Sequence, residues 1–124
     1  MRLLLDTHVV LWWRQKSRRL DLRTVGRIAT AAVVYVSAVS AWEVVIKSAL
    51  GRLALDDPFE THVAAAGFEP LAVTFAHAEE AGRLPAIHAD PFDRMLVAQA
   101  RVEGLTLVTH DGTIARYDVR TILL

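Results

Sequence analysis

The chain has 124 residues, no net charge at neutral pH and no cysteine. This length is enough for one domain with a real hydrophobic core, and we expect residues 1–124 to form a single domain. The lack of cysteine excludes disulfides, thiolate nucleophiles and cysteine-ligated zinc, so any metal must be held by oxygen or histidine. Hydrophobic residues make up 53% of the chain, which is typical of a sheet covered on both faces and leaves apolar surface for a partner.

The first half of the chain alternates between strand patterns and helix patterns. An apolar run predicts a strand at residues 3–5, followed by helices at residues 9–14 and 22–31. A β-branched run predicts a second strand at residues 33–36, and residues 41–50 predict a helix that ends at the following glycine.

The second half continues the alternation. In chain order we predict a helix at about 58–66, a strand near 71–74, a helix at 76–81, a helix at 91–103, a strand at 105–109, a short helix at 113–117 and a strand at 119–123. Five strands separated by helices predict an α/β fold, a parallel sheet with helices on both faces.

The N-terminus begins like a signal peptide, but Asp6 and His8 interrupt its apolar run. No stretch reaches the roughly 18 to 20 apolar residues that span a bilayer, and no small-residue cleavage site follows closely. We therefore expect a soluble, cytoplasmic chain without a membrane partner.

Four acidic residues lie where a predicted strand ends or the next helix begins: Asp6, Glu43, Asp93 and Asp111. In a parallel α/β sheet these positions gather at one edge, where ligands bind. Two carboxylates about 4 Å apart repel by roughly 1 kcal/mol in water and about 4 kcal/mol at the effective dielectric of a protein surface. The cluster therefore predicts a divalent metal site.

Each acid also has a structural explanation. Ser40 and Glu43 have the spacing of a capping box, and Lys47 could pair with Glu43 one helical turn later. Asp111 precedes a glycine and could form an ordinary turn. Taken singly, each acid is better explained by a structural role than by a catalytic one.

Two acids are harder to explain structurally. Asp6 ends a buried strand where no helix cap is expected, and an unpaired buried carboxylate is costly. Asp90 is the expected N-cap before Pro91, whereas helical spacing directs Asp93 toward the sheet along with Leu96. A cap does not require that orientation.

Charge is unevenly distributed along the chain. Residues 1–52 carry nine basic and three acidic side chains, a net +6, and residues 53–124 carry five basic and eleven acidic ones, a net −6. The basic excess is densest in a stripe formed by Arg14, Lys16, Arg18, Arg19, Arg23 and Arg27. This stripe could contact phosphates, with Arg14, Lys16, Arg18 and Arg19 as the substrate-binding candidates, or could be a solvated helix face. No aromatic residue is expected to interleave with it for base stacking, although one of the adjacent Trp12 and Trp13 should face a groove or a second subunit.

Several segments together resemble a known family. They are residues 4–8 (LLDTH), residues 36–38 (VSA) with 40–43 (SAWE) and 46–47 (IK), residues 88–94 (HADPFDR) and residues 107–111 (LVTHD). In order and spacing they resemble PIN-domain ribonucleases of the kind that serve as VapC toxins in VapBC toxin–antitoxin pairs. The resemblance implies a three-layer domain with sheet order 3-2-1-4-5 and Mg²⁺- or Mn²⁺-dependent cleavage of RNA, such as transfer or ribosomal RNA. It also implies a homodimer and a VapB-like antitoxin. The protein would contact DNA only indirectly, through that antitoxin.

The resemblance further implies roles for individual residues. Asp6, Glu43, Asp93 and Asp111 match the family's acidic quartet, and Thr109, Thr7 and Asp90 match positions that support the site. We expect Asp6 and Asp93 to be direct metal ligands and Asp111 to act through water or on a second ion. Glu43 would be a ligand or would orient the attacking water. His8 and His110 flank the site in sequence and are expected to be hydrogen-bonded neighbours and not ligands, and a ligand role is expected even less of His62, His77 and His88. The basic stripe departs from close relatives, which tend to be acidic or neutral in this segment. The resemblance therefore gives less indication of which RNA is the substrate.

Three other classes of protein share part of this pattern. A receiver-like phosphoacceptor would need an acidic pair after the first strand and a lysine after the last, and a haloacid-dehalogenase-type phosphatase would need an aspartate where His8 stands. Both fit poorly. The stronger alternative is a non-catalytic module of the same fold that binds RNA or protein, although the presence of all four acids favours an enzyme.

Overall fold

Five parallel strands form the centre of the molecule in a computed structural model that describes residues 1–124. The strands are β1 (Arg2–Leu5), β2 (Val33–Ser37), β3 (Glu69–Leu71), β4 (Thr106–Thr109) and β5 (Thr121–Leu123). Their order in the sheet is β3-β2-β1-β4-β5, and every neighbouring pair is parallel. The predicted parallel sheet of order 3-2-1-4-5 is confirmed.

Six α-helices and one 3₁₀ turn connect the strands. They are α1 (Thr7–Gln15), α2 (Leu22–Thr30), α3 (Ala38–Ala49), α4 (Phe59–Ala65), α5 (Phe75–Arg83), α6 (Pro91–Glu103) and the 3₁₀ turn η1 (Ile114–Arg116). None of these helices combines the length and the apolar character needed to cross a membrane.

The hydrophobic core is divided by the sheet into two clusters. Leu3 and Leu5 of the central strand contribute to one cluster, with residues of α1, α2 and α4, whereas Leu4 contributes to the other, with residues of α6. This alternation follows from the twofold periodicity of a strand. All three leucines are fully buried, as expected for the central strand of a sheet covered on both faces.

Several predicted boundaries are wrong: β5 begins at Thr121 and not at residue 119, and three others can be explained. Helix α1 begins at Thr7, two residues early, because Asp6 caps it by accepting a hydrogen bond from the amide of His8. Helix α3 begins at Ala38, because Ser37 ends β2 and caps the helix without an intervening loop. Strand β3 comprises residues 69–71 and not 71–74, since the pairing partners are on β2 and residue 74 already caps α5.

Candidate active site

The acidic residues meet where the chain leaves the sheet in opposite directions. From β1 the chain crosses to β2, and from β4 it crosses to β5 on the other side, while β1 and β4 are direct neighbours. The carboxyl ends of two such strands leave a crevice between the outgoing segments. Asp6 follows β1, and its amide extends the pairing by donating to the Val108 carbonyl at 2.9 Å. Asp111 follows β4 by two residues.

Asp6 is the most deeply buried of the four acids, with only 2% of its surface exposed. One carboxylate oxygen accepts from the His8 amide at 2.7 Å, and the other accepts from the Thr109 hydroxyl at 2.7 Å. Burial alone would raise the pKa of Asp6, but the hydrogen bonds from His8 and Thr109 outweigh it and hold the pKa below its usual value. Asp6 is thus kept ionised inside the protein, and the expectation that it has no capping role is wrong.

Thr109 and Thr7 fix the surroundings of Asp6. The Thr109 hydroxyl donates to Asp6 and accepts from the Asp111 amide at 3.0 Å, so one side chain orients two of the acids. The Thr7 hydroxyl donates to the Ser40 hydroxyl at 2.8 Å and joins α1 to α3. Because Ser40 lies within α3 and makes this contact, the predicted capping box of Ser40 and Glu43 is wrong.

Glu43 is brought to the site by the first turns of α3. It is 5% exposed, and the ammonium of Lys47 lies 2.7 Å from one of its carboxylate oxygens. The predicted pairing with Lys47 is therefore present, at a buried carboxylate rather than on an open helix surface. An ion pair of this kind offsets part of the cost of burying Glu43.

Asp93 and Asp111 share a histidine. The Nε2 atom of His88 lies 3.1 Å from a carboxylate oxygen of Asp93 and 2.9 Å from one of Asp111. The Nδ1 atom of His88 accepts from the Asp90 amide at 3.1 Å, so Nε2 carries the proton that faces the carboxylates. Asp90 also caps α6 as predicted, accepting from the amides of Phe92 and Asp93.

The two carboxyl groups at His88 differ electrostatically. Burial raises the pKa of Asp93 to about 7, and the nearby charges of Asp90, Asp6 and Glu43 add to the effect while His88 opposes it. Burial also works to raise the pKa of Asp111, but the hydrogen bonds from His88 and Thr113 lower it below its usual value. Asp93 is therefore the acid whose charge is least compensated.

His88 is the member of this site that sequence reasoning missed. The position of His88 two residues before the Asp90 cap gives no indication that its ring turns back toward Asp93 and Asp111. Its segment is held by Arg94, whose guanidinium donates to the carbonyls of Pro85, Ala81 and Leu84 at 2.8 to 3.1 Å. The Tyr117 hydroxyl accepts from the His88 amide at 2.8 Å. Only the tertiary fold reveals these contacts.

Two histidines lie beside Asp6 on the opposite side of the site. The Nδ1 atoms of His8 and His110 are 3.6 and 4.0 Å from carboxylate oxygens of Asp6. A hydrogen bond to Asp6 raises the pKa of His8, although burial works against it. His8, His110 and Asp6 form one group of potential metal-ligating atoms, and His88, Asp93 and Asp111 form another. Three of the four acids thus belong to two adjacent groups of potential ligands. The fourth, Glu43, is paired with Lys47.

The donor atoms at this site fit a hard divalent cation. Three aspartates contribute carboxylate oxygens, and burial, followed by the charges of Asp90, Asp6 and Glu43, raises the pKa of Asp93, so that protein groups offset its negative charge only in part. Mg²⁺ and Mn²⁺ prefer such oxygen ligands. The imidazoles of His8, His88 and His110 are at hydrogen-bonding or near-contact distances from carboxylates, as is common for groups that orient ligands.

The basic stripe is not free of aromatic contacts, which corrects the expectation from sequence. The guanidinium of Arg19 lies 5.7 Å from the ring centre of Trp12, and the Trp12 ring packs against His110 at 4.8 Å. Trp13 packs against Phe68 and, like Trp12, is half-buried at the edge of the core. Trp12, Trp13, Lys16 and Arg18 also line a groove of about 390 Å³ beside α2.

Comparisons with known proteins agree with this geometry. The chain is 32% identical over 116 residues to Ribonuclease VapC22 of Mycobacterium tuberculosis, covering 87% of this chain and 85% of the relative. In three dimensions it resembles VapBC2 of Rickettsia felis bound to a promoter DNA fragment, with a TM-score of 0.75, 14% identity, and coverage of 99% of this chain and 98% of that one. It also resembles FitAcB of Neisseria gonorrhoeae, with a TM-score of 0.68, 18% identity, and coverage of 97% and 96%. At these identities the structural similarity shows the fold alone.

The family is shown by the sequence itself. Residues 3–120 match the family model described as PIN domain, which includes every strand residue from Leu3 of β1 to the end of β4 and all four acids of the site. With the identity to a curated ribonuclease over most of both chains, the match shows that the chain belongs to the PIN-domain family.

Proposed function

We propose that this protein is a metal-dependent endoribonuclease that acts as the toxin of a toxin–antitoxin pair. The observation that carries the proposal is the convergence of Asp6, Asp93 and Asp111 at the switch point of the sheet, with the charge of Asp93 only partly compensated by His88. The relative at 32% identity is named a ribonuclease. Transfer and ribosomal RNA are the substrates to test first.

The residues divide the work of holding a cation and a phosphate. Asp6 and Asp93 would be direct ligands, and Asp111 would act through water or on a second ion. When bound, Mg²⁺ or Mn²⁺ supplies a water of lowered pKa and neutralises charge on the phosphodiester. Glu43, held by Lys47, would bind the ion or orient the attacking water, while Thr109 keeps the Asp6 carboxylate in place.

A protein partner and a second copy complete the proposal. The neighbour from Rickettsia felis is a VapBC complex bound to promoter DNA, and a structure of VapBC from Salmonella typhimurium is also bound to DNA, with a TM-score of 0.67 to this chain at 18% identity, covering 98% of this chain and 97% of that one. By analogy we propose a VapB-like antitoxin, a homodimer and a toxin–antitoxin hetero-oligomer, with DNA contacted through the antitoxin. Exposed apolar side chains such as Leu22, 88% exposed, and Trp42, 61% exposed, support the existence of protein partners.

The test is cleavage of transfer and ribosomal RNA by the purified protein in Mg²⁺, Mn²⁺ or EDTA. The wild type should cut only with metal, and Asp93→Asn should not cut, although Asn retains the shape of the side chain and the fold. Asp57→Asn, which removes an exposed charge outside the site, serves as the matched control and should cut like the wild type. Cleavage by Asp93→Asn at the wild-type rate, or no cleavage by folded, partner-free wild type, would contradict the proposal.

A further inference from the structure

Three aromatic rings form a continuous cluster next to Asp6. The ring centres of Trp12 and His110 are 4.8 Å apart, those of His8 and His110 are 5.0 Å apart, and those of His8 and Trp12 are 6.2 Å apart. The rings meet at angles of 49° to 71°. Because His8 and His110 also flank the Asp6 carboxylate, the cluster lies at the edge of the proposed cleavage site.

The cluster is open to solvent, unlike the aromatic residues of the core. The side chains of His8 and His110 are 46% and 40% exposed. Trp12 is half-buried: it packs against the core and against the two imidazoles. The neighbouring Trp13 packs on Phe68. Two exposed imidazoles packed at steep angles against an indole therefore present an open polar–aromatic surface that core packing alone does not require.

Positive charge adjoins the aromatic cluster. The Arg19 guanidinium lies over the Trp12 ring at 5.7 Å, and Lys16 and Arg18 line the groove beside the same indole. Stacking rings next to guanidinium groups match the two features of a single-stranded nucleic acid, which are a π-face on every base and a phosphate on every nucleotide. The charge and the rings are together beside the acids that would hold the scissile phosphate.

We propose that His8, Trp12 and His110 form a stacking platform for an unpaired nucleobase of the RNA adjacent to the scissile phosphate, with Arg19 contacting the backbone at that base. This inference rests on the proposed ribonuclease function and names a part of its substrate. A base held in a duplex cannot present its face to the platform. The protein therefore requires an unstacked base at the cleavage site, as in a loop or a single-stranded segment.

The test compares a single-stranded RNA of about ten nucleotides with the same RNA carrying one abasic position, moved along the strand. Affinity is measured in EDTA, so that metal binding and cleavage do not contribute, and cleavage of the intact RNA by the wild type in Mg²⁺ or Mn²⁺ is measured in parallel. We expect one abasic position to weaken binding of the wild type by about 5- to 150-fold, the range for stacking of one base. Trp12→Leu should lose most of this difference in affinity between intact and abasic RNA. His110→Ala, which removes a more exposed ring of the cluster, should lose most of it as well.

Phe75→Leu is the matched control, because it removes an aromatic ring that is 89% exposed on α5, outside both the aromatic cluster and the groove. It should keep the wild-type ratio of affinities for intact and abasic RNA even if it is less stable. Wild type that cleaves RNA but binds every abasic RNA like the intact one would overturn the platform and leave the ribonuclease assignment standing. Wild type that neither binds nor cleaves RNA would overturn both. If Trp12→Leu no longer bound a co-expressed antitoxin but bound RNA like the wild type, the cluster would be part of the protein interface and the inference would be overturned.

Discussion

Replacing Asp93 with Asn should stabilise the metal-free protein even though it removes a residue of the proposed active site. Burial and the neighbouring charges of Asp90, Asp6 and Glu43 raise the pKa of Asp93 from 3.8 to about 7. An ionised Asp93 is therefore a source of instability above pH 7. Asn keeps the size of the side chain and carries no charge, so the variant removes this cost without leaving a cavity.

The magnitude follows from the raised pKa and from opposing effects. A rise from 3.8 to about 7 corresponds to at most about 4 kcal/mol of unfolding free energy when the group is ionised. The Asp93 side chain is 20% exposed, and solvent screening reduces the effect to about 1–2 kcal/mol. Loss of a negative charge in the first turn of α6 costs about 0.3–1 kcal/mol. We therefore expect a net gain of about 1 kcal/mol, or roughly 3 to 5 °C in melting temperature for a chain of this length.

The sign of the pH dependence distinguishes this explanation from a general effect of the substitution. Because the folded state keeps the Asp93 proton to a higher pH than the unfolded state does, this group makes unfolding easier as pH rises from about 4 to about 7. The advantage of Asp93→Asn should therefore be clearly smaller at pH 5 than at pH 8, because the cost grows between the unfolded and the folded pKa. Denaturant and thermal unfolding in EDTA at both pH values measure it.

Asp57→Asn provides the control for removing one negative charge from an exposed position. It should change stability little at either pH. Two results would refute the reasoning: an Asp93→Asn variant less stable than the wild type at pH 8, or a stability difference that is the same at pH 5 and pH 8. Either would mean that the Asp93 carboxylate is compensated in the folded protein.

Three other substitutions test separate parts of the site. Thr109→Val should lower the unfolding free energy by about 1–3 kcal/mol and weaken Mn²⁺ binding, because it removes the 2.7 Å hydrogen bond to Asp6. Calorimetry measures both, and a variant with the stability and Mn²⁺ affinity of the wild type would contradict this role. His88→Gln should lower the melting temperature in EDTA. Saturating Mn²⁺ should raise the melting temperature of this variant more than that of the wild type, since the metal replaces the lost partner of two carboxylates. An equal rise in both proteins would count against this role of His88. Arg18→Ala combined with Arg19→Ala should weaken RNA binding and reduce its salt dependence by roughly 1 to 1.5 in log–log slope, whereas an unchanged slope would assign these arginines to a solvated face.

The features predictable from sequence were those set by strand pattern and chain order. Buried parallel strands appear as short apolar runs, so β1, β2 and β4 could be placed closely, and the order of strands and helices led to a parallel sheet. Because the carboxyl ends of parallel strands lie at one edge of the sheet, the acids at those ends could be expected to lie close together. Strand β3 was misplaced because it is an edge strand that contains Pro70, and its position depends on pairing with β2 more than on its own hydrophobicity.

The features that could not be predicted depend on contacts between distant parts of the chain. The spacing of Ser40 and Glu43 indicated a capping box, but Ser37 had already capped α3 and Ser40 was available to accept from Thr7. His88 contacts Asp111, 23 residues away in sequence. The aromatic cluster joins a helix after β1 to a loop after β4. Local periodicity contains no information on such contacts.

The four acids are compensated to different degrees, and this difference points to Asp93 as the residue most coupled to the proposed metal. Asp6 receives hydrogen bonds from Thr109 and His8, and Asp111 receives them from His88 and Thr113.

Glu43 has the ammonium of Lys47 at 2.7 Å. Only Asp93 has a pKa raised to near neutrality, with other carboxylates among the causes. A cation bound there has to displace the Asp93 proton at pH below about 7, so binding should release close to one proton at pH 6 and far less at pH 8. Isothermal titration of Mn²⁺ in buffers of different ionisation enthalpy measures that number, and the same proton release at both pH values would show that Asp93 is not the group linked to the metal.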